Sequence, residues 1–164
     1  MAGASFKINF SKANSVLGNA VTKISDRQQL SETLGEQLVS STIERFEDEI
    51  GPDGDGWKKS RRAEDEGGQT LSDKGHLKAS INYEASPVAV VVGTTDKVKG
   101  AIHQFGGTIK PKKGKFLKFK TGTGFAAVKK VTMPARPYLG INEEDIEEAK
   151  ETIRLFIQKG LGAK

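Results

Sequence analysis

The chain contains no cysteine. Disulfide staples, thiolate metal sites and a cysteine nucleophile are therefore excluded, and the composition suits a reducing compartment. Histidine is scarce as well. His76 and His103 are the two present, fewer ligands than a zinc site needs. No apolar run approaches the roughly 20 residues of a bilayer-spanning helix. The opening MAGASFKINFSKAN lacks the long apolar core and the cleavage site of a secretory signal. The expectation is a soluble, unsecreted protein with no membrane partner. No internal repeat is visible. The 164 residues fit a single domain, 1–164, large enough to bury about 70% of its unfolded surface without a staple.

Acidic residues are also missing from one long stretch. Between Lys97 and Lys130 there are ten lysines and no Asp or Glu, although the net charge of the whole chain is only +5. The segment 142–159 has the opposite bias, six acids against three bases. The region around Arg45 is acid-rich too. Such segregation bears on partners rather than on fold. It suits phosphate binding, or the pairing of a basic face with an acidic one from copy to copy in a ring.

Periodicity supplies the elements. Phe6, Ile8 and Phe10 alternate with polar residues as a short strand, and 16–24 reads as a short helix. Ser25 followed by Gln28 reads as a capping box opening a longer helix. Its expected buried stripe is Leu30, Leu34, Leu38, Val39, Ile43, Phe46 and Ile50, and Gly51-Pro52 stops it. The polar segment 51–74 reads as a flexible loop anchored once, at Trp57. A hairpin is expected from 77–84 and 88–95 around Ser86-Pro87, its second strand apolar on both faces. Residues 101–105 suggest a helical turn ended by Gly106-Gly107. A second hairpin is expected from 115–120 and 128–133, tipped by Thr121-Gly122-Thr123-Gly124, within a basic arm at 110–130. Asn142 caps the last helix, 142–159, where Glu143, Glu144 and Asp145 suit the positive end. Its expected apolar stripe is Ile146, Ala149, Ile153, Phe156 and Ile157, and 160–164 should fray. The fold class is α+β: a single antiparallel β-sheet packed by two main helices, with a projecting basic β-hairpin arm.

Catalytic and cofactor signatures fail on inspection. Asp53-Gly54-Asp55-Gly56 hints at a calcium loop, but Trp57 and Lys58 occupy positions that need an oxygen ligand and a glycine. Lys113-Gly114-Lys115 lacks both the earlier glycine and the following Ser or Thr of a phosphate loop. Ser72 and Ser80 have no legible His–Asp partners. The acids at Glu143 are already explained by the helix dipole. The reading is not an enzyme, with no cofactor, no metal and no small-molecule substrate.

Two short motifs stand out in the second half. AIHQFGGTI places paired glycines, Gly106 and Gly107, after His103, Gln104 and Phe105. MPARPYLGI brackets Arg136 with Pro134 and Pro137 and delivers Tyr138, Leu139 and Gly140 to the last helix. Both look like backbone engineering rather than chemistry. His103 reads as a half-buried ring bonded to nearby backbone. Arg136, on a stiff segment, is placed for a bidentate carboxylate contact, inside its own fold or across a subunit boundary. Trp57 is an anchor, into its own core or a neighbour's groove. Lys110, Lys112, Lys113, Lys115, Lys118 and Lys120 form either a solvated face, a docking surface for an acidic protein, or a phosphate-contacting surface. Phe116 and Phe119 could stack bases, but their alternation puts at least one in the core. A basic nucleic-acid-binding module using this hairpin is the alternative function.

With PDGDGW at 52–57 and LSDKGHLKASINYE at 71–84, the two motifs together resemble the virion morphogenesis (tail completion) family of Mu-like tailed phages. The resemblance runs over roughly 25–158. It implies a structural virion protein of the phage neck, acting in tail completion and head–tail joining as a tail terminator or connector-side ring. Implied partners are other copies in a ring, expected to be a hexamer, and neighbouring neck or tail-tube proteins. DNA would pass through the channel without specific binding. The place implied is the virion neck, reached from the host cytoplasm during assembly.

Overall fold

The computed structural model describes residues 4–9, 27–121 and 124–160. The expected helix at 16–24, the Ser25 cap, the hairpin tip at 122–123 and the tail beyond 160 lie outside the described residues.

The fold is α+β. Its main sheet has the order β1-β3-β2, all antiparallel, from β1 (Ser5–Asn9), β2 (Ile81–Ser86) and β3 (Ala89–Thr94). β2 and β3 form the expected hairpin, with Ser86 opposite Ala89 across a two-residue turn. β3 is central, and Val90 and Val92 are completely buried. Val92 lies opposite Phe6 on one side and Tyr83 on the other, so one face of the sheet is a continuous apolar row. The hairpin starts later than expected, because Leu77 belongs to a single helical turn, α3 (His76–Ala79), which buries it.

The helix α1 (Arg27–Asp48) crosses β2 and β3 and also meets the last helix, α5 (Glu143–Gly160). Leu34, Leu38 and Phe46 are buried as expected, and Leu30 and Val39 pack at the edge. The rest of the buried face is not apolar. It is Ser31, Gly35, Thr42 and Arg45, whereas Ile43 and Ile50 are only half-buried. Gly35 has a steric reason: a Cβ there would sit 2.3 Å from the Tyr83 ring. A mid-helix glycine costs about 1 kcal/mol against alanine, and here it admits the aromatic ring of β2. Thr42 donates its hydroxyl to the Leu38 carbonyl at 2.7 Å, so it enters the core satisfied.

Segment 51–74 is held at several points, not one. Gly51-Pro52-Asp53-Gly54 makes a turn closed by Gly54 N–H to Gly51 O at 3.0 Å. The short helix α2 (Arg61–Glu66) is capped by Ser60, whose Oγ accepts the Ala63 N–H at 3.2 Å. Thr70 is fully buried and its N–H is taken by Glu49. Trp57 is itself in the core, edge-on to Phe46 with ring centroids 5.5 Å apart, while Tyr138 tilts against the same phenylalanine at 5.2 Å. Each fully buried aromatic of this kind is worth about 1.5–3 kcal/mol.

The remaining strands pair differently from expectation. α4 (Lys97–Phe105) leads into β4 (Gly107–Ile109), which pairs with β7 (Val131–Met133). The arm hairpin is β5 (Leu117–Thr121) with β6 (Gly124–Val128). The segment 131–133 therefore does not pair with 115–120. It returns to the strand after Gly107, and the arm is inserted between the two strands of that small ribbon. Three residues of β6 too weakly apolar to be read as a strand, Gly124, Ala126 and Ala127, concealed this register.

Candidate interaction surfaces

The two sequence motifs meet in space as one device. After β7 the chain runs extended from Pro134 to Ile141 with no ladder partner, so its backbone polar groups must be satisfied otherwise. Side chains and one backbone contact do this. Gln104 on α4 accepts the N–H groups of Tyr138 and Leu139 at 3.1 and 3.0 Å and donates to the Leu139 carbonyl at 2.8 Å. Trp57 donates its indole N–H to Pro137 O at 2.8 Å. Arg45 donates to Tyr138 O and Gly140 O at 3.3 and 3.0 Å. The N–H of Arg136 goes to His103 O at 2.7 Å. Gly106, at φ 68°, lets the two motifs touch: a Cβ there would lie 2.7 Å from Ala135 N. Gly140 packs on Pro52, where a Cβ would come within 2.5 Å of Cγ. PDGDGW, IHQFGG and MPARPYLG are thus one stapled node.

This node holds two of the expected partner-binding residues, and Trp57 takes the core alternative. Trp57 is 8% exposed and its ring is spent on Phe46 and Pro137. Arg136 is 3% exposed and forms no ion pair with a carboxylate among the described residues. Its Nε and one terminal nitrogen donate to Lys58 O and Lys59 O at 2.7 and 3.3 Å, pinning the polar segment. Its other terminal nitrogen has no hydrogen-bond partner. His103 is half-buried as expected, but the group bonded to backbone is its own carbonyl, and the ring Nδ1 has no partner. Burial, and then the Arg136 charge, hold the His103 imidazole below its ordinary range. Burial pushes the Tyr138 phenol up. Phe105 is not part of the packed node and stands 72% exposed.

A residue pair that sequence reasoning missed locks the node to both helices. Arg45 and Asp145 form a buried ion pair, and Arg45 also donates to Ser41 Oγ at 3.1 Å. Asp145 doubles as the reciprocal half of a cap: Asn142 N–H donates to its carboxylate at 2.9 Å, and its own N–H donates to Asn142 Oδ1 at 2.7 Å. Asp145 was legible as a helix-start acid, and Arg45 only as the centre of an acid-rich region. Nothing local joins them.

The basic arm lies on the surface. Lys110, Lys112, Lys113, Lys115 and Lys118 are exposed, and none forms an ion pair among the described residues. Lys120 is placed by backbone register opposite Phe125. Phe116 and Phe119 were expected to supply at least one core residue, yet they are 46% and 42% exposed, and Phe125 is 87% exposed. The hairpin has too little mass beneath it to bury them. On α5 the stripe is thinner than expected. Ala149 and Ile153 pack on the core and Phe156 and Ile157 are half-buried, while Ile146 is about half exposed. Glu143, Glu144, Glu147 and Glu148 are exposed along the same helix.

The family model described as phage virion morphogenesis family matches residues 8–158. The chain belongs to the phage virion morphogenesis family. A relative from Haemophilus influenzae, Mu-like prophage FluMu G protein 2, is 29% identical over 150 residues, covering 92% of each chain. No solved structure matches. Virion assembly is therefore the setting in which these surfaces act, and the stapled node falls wholly inside the matched region.

Proposed function

We propose that the chain is a structural virion protein of the phage neck that completes the tail and joins it to the head. It does so as a ring of copies, expected to be a hexamer, around a DNA-sized channel. The observation that carries this reading is the coexistence on one fold of an acid-fronted helix, α5, and a basic arm whose lysines form no ion pair among the described residues. Complementary patches of this kind steer encounter and reject wrong partners more than they add raw affinity. The work is assembly, not catalysis. DNA passes the ring without a specific site, since many tight phosphate contacts would oppose its movement. A phage with this gene interrupted should accumulate filled heads and separate tails, and gold-labelled protein should decorate the head–tail junction of wild-type particles. Joined particles in the mutant, or label confined to the capsid or the tail tip, would overturn the reading.

The exposed Phe125 beside the arm lysines favours one second reading, a nucleic-acid-binding module. A salt titration against duplex DNA separates the two. Affinity that falls steeply with salt supports the module, and absence of binding at low salt removes it.

A further inference from the structure

We propose that a cleft beside the stapled node is a receptor for a carboxylate side chain presented by another protein chain. The cleft, of about 450 Å³, opens between α2, the turn before α3, α4 and the connector after β7. Arg136 and His103 both line it. Arg136 is almost wholly buried, and with Nε and one terminal nitrogen committed to carbonyls, its remaining terminal nitrogen has no partner among the described residues, nor has His103 Nδ1, and both atoms are shielded from solvent until the rim moves. Arg62, Lys74 and Lys99 stand around them, and Leu71, Leu77 and Met133 add apolar wall.

The charge balance favours an anion. Asp73 is the one acid lining the cleft, and it is drawn to Arg62 at 3.8 Å. Glu64 acts on Arg136 from outside this cleft but forms no ion pair with it among the described residues. The chemistry favours a carboxylate over a phosphate. Two oxygens on one carbon can accept one N–H from the guanidinium and one from the imidazole, and the methylenes of a glutamate suit the apolar wall. Duplex phosphates lie on a broad convex surface and do not reach a guanidinium this deep. Lys74, long and exposed, can swing to admit the group, while Lys99 is drawn to Asp96 at 3.1 Å, an acid that also acts on His103 from outside the cleft. The cleft is separate from the basic arm, so this inference stands whether or not the arm docks as proposed above.

The test uses the full chain and follows the ring signals of His103 by NMR, with the ring signals of Tyr83, which does not line the cleft, as reference. The probe is acetyl-Ala-Glu-Ala-amide, compared with its glutamine counterpart and with inorganic phosphate. Saturable movement of the His103 signals by the glutamate peptide is expected, with a rise in the His103 titration midpoint, because an anion reverses the effect of Arg136. The glutamine peptide should leave them unmoved and phosphate should bind more weakly. Arg136 variants are at risk of unfolding, so the rim carries the mutational arm: Lys74→Glu with Lys99→Glu should fold and weaken the peptide roughly tenfold. No His103 response, an equal response to the glutamine peptide, tighter binding of phosphate, or an unaffected rim variant would each overturn the proposal.

Discussion

Arg45 and Asp145 meet as an ion pair whose side chains are 4% and 3% exposed. Taking two charges out of water is expensive, and their attraction offsets that cost only when the remaining donors are satisfied. Here they largely are, because Arg45 also reaches Tyr138 O, Gly140 O and Ser41, and Asp145 closes the cap of α5. Removing one partner leaves the other buried and uncompensated. Asp145→Ala should therefore cost about 3–5 kcal/mol, whereas a paired apolar replacement at both positions should cost clearly less. Urea denaturation of the two variants gives the comparison. Equal losses would mean that the carbonyl contacts of Arg45, not the ion pair, hold α1 to α5.

Gly106 and Gly114 both have positive φ, 68° and 81°, yet they should respond differently to alanine. At Gly114 nothing lies within 4 Å of an added Cβ, so the cost is the left-handed backbone alone, about 1–2 kcal/mol. At Gly106 the same strain is joined by contacts of 2.7 Å to Ala135 N and 3.0 Å to Met133 O, and neither backbone atom can swing aside. Gly106→Ala should cost roughly 2–4 kcal/mol and lower the melting temperature several degrees further than Gly114→Ala. Melting temperatures that fall together would show that the node gives way freely at this point.

These contrasts indicate what the sequence could reveal. The apolar alternation of β3, the Asn142 cap and the glycine pair after Phe105 are local signals, and the structure repeats them, whereas α1 ends at Asp48, before the expected stop at Gly51-Pro52, with Glu49 at a positive φ of 58°. Pairing between β4 and β7 was hidden because the chain between them is a hairpin with its own register. The polar face of α1 was hidden because a helical threonine can bond the carbonyl one turn back, as Thr42 does with Leu38, and because Arg45 is held by residues 93 to 100 positions away. Arg136 was legible as a rigidly mounted cation, but its partners are backbone carbonyls, which carry no side-chain identity in a sequence. The surfaces were more legible than the staples, since exposed charge needs no partner to be read.

Acid should weaken the fold in two steps. His103 is held below its ordinary value of 6.5 by burial and by Arg136. The unfolded chain therefore binds the proton first, and the stability from the neutral ring is present above about pH 6.5 and lost as pH falls toward the folded value. Glu49 is held below 4.5 chiefly by hydrogen bonding from Thr70, so its contribution is present above about pH 4.5 and lost below it. Thermal melts across this range should show both declines. His103→Gln should flatten the first and Glu49→Gln the second. An unchanged first decline in His103→Gln would assign it elsewhere.

The arm supplies the sharpest separation of folding from assembly. Lys112, Lys113 and Lys115 are exposed, and nothing in their own chain balances them among the described residues. Each exposed ion pair they could gain is worth only about 0–1 kcal/mol, so an effect on binding must come from summation and steering. Replacing all three by glutamate should leave the melting temperature within error, because no core contact is lost and local repulsion among lysines is exchanged for attraction to the lysines that remain. Ring formation or head–tail joining should be lost, and in purified protein the association rate should lose its dependence on salt. A variant that unfolds would place the arm within the core. A variant that assembles normally would reduce the lysine run to a solvated face, and the search for the docking surface would move to the half-exposed Ile146 at the start of α5.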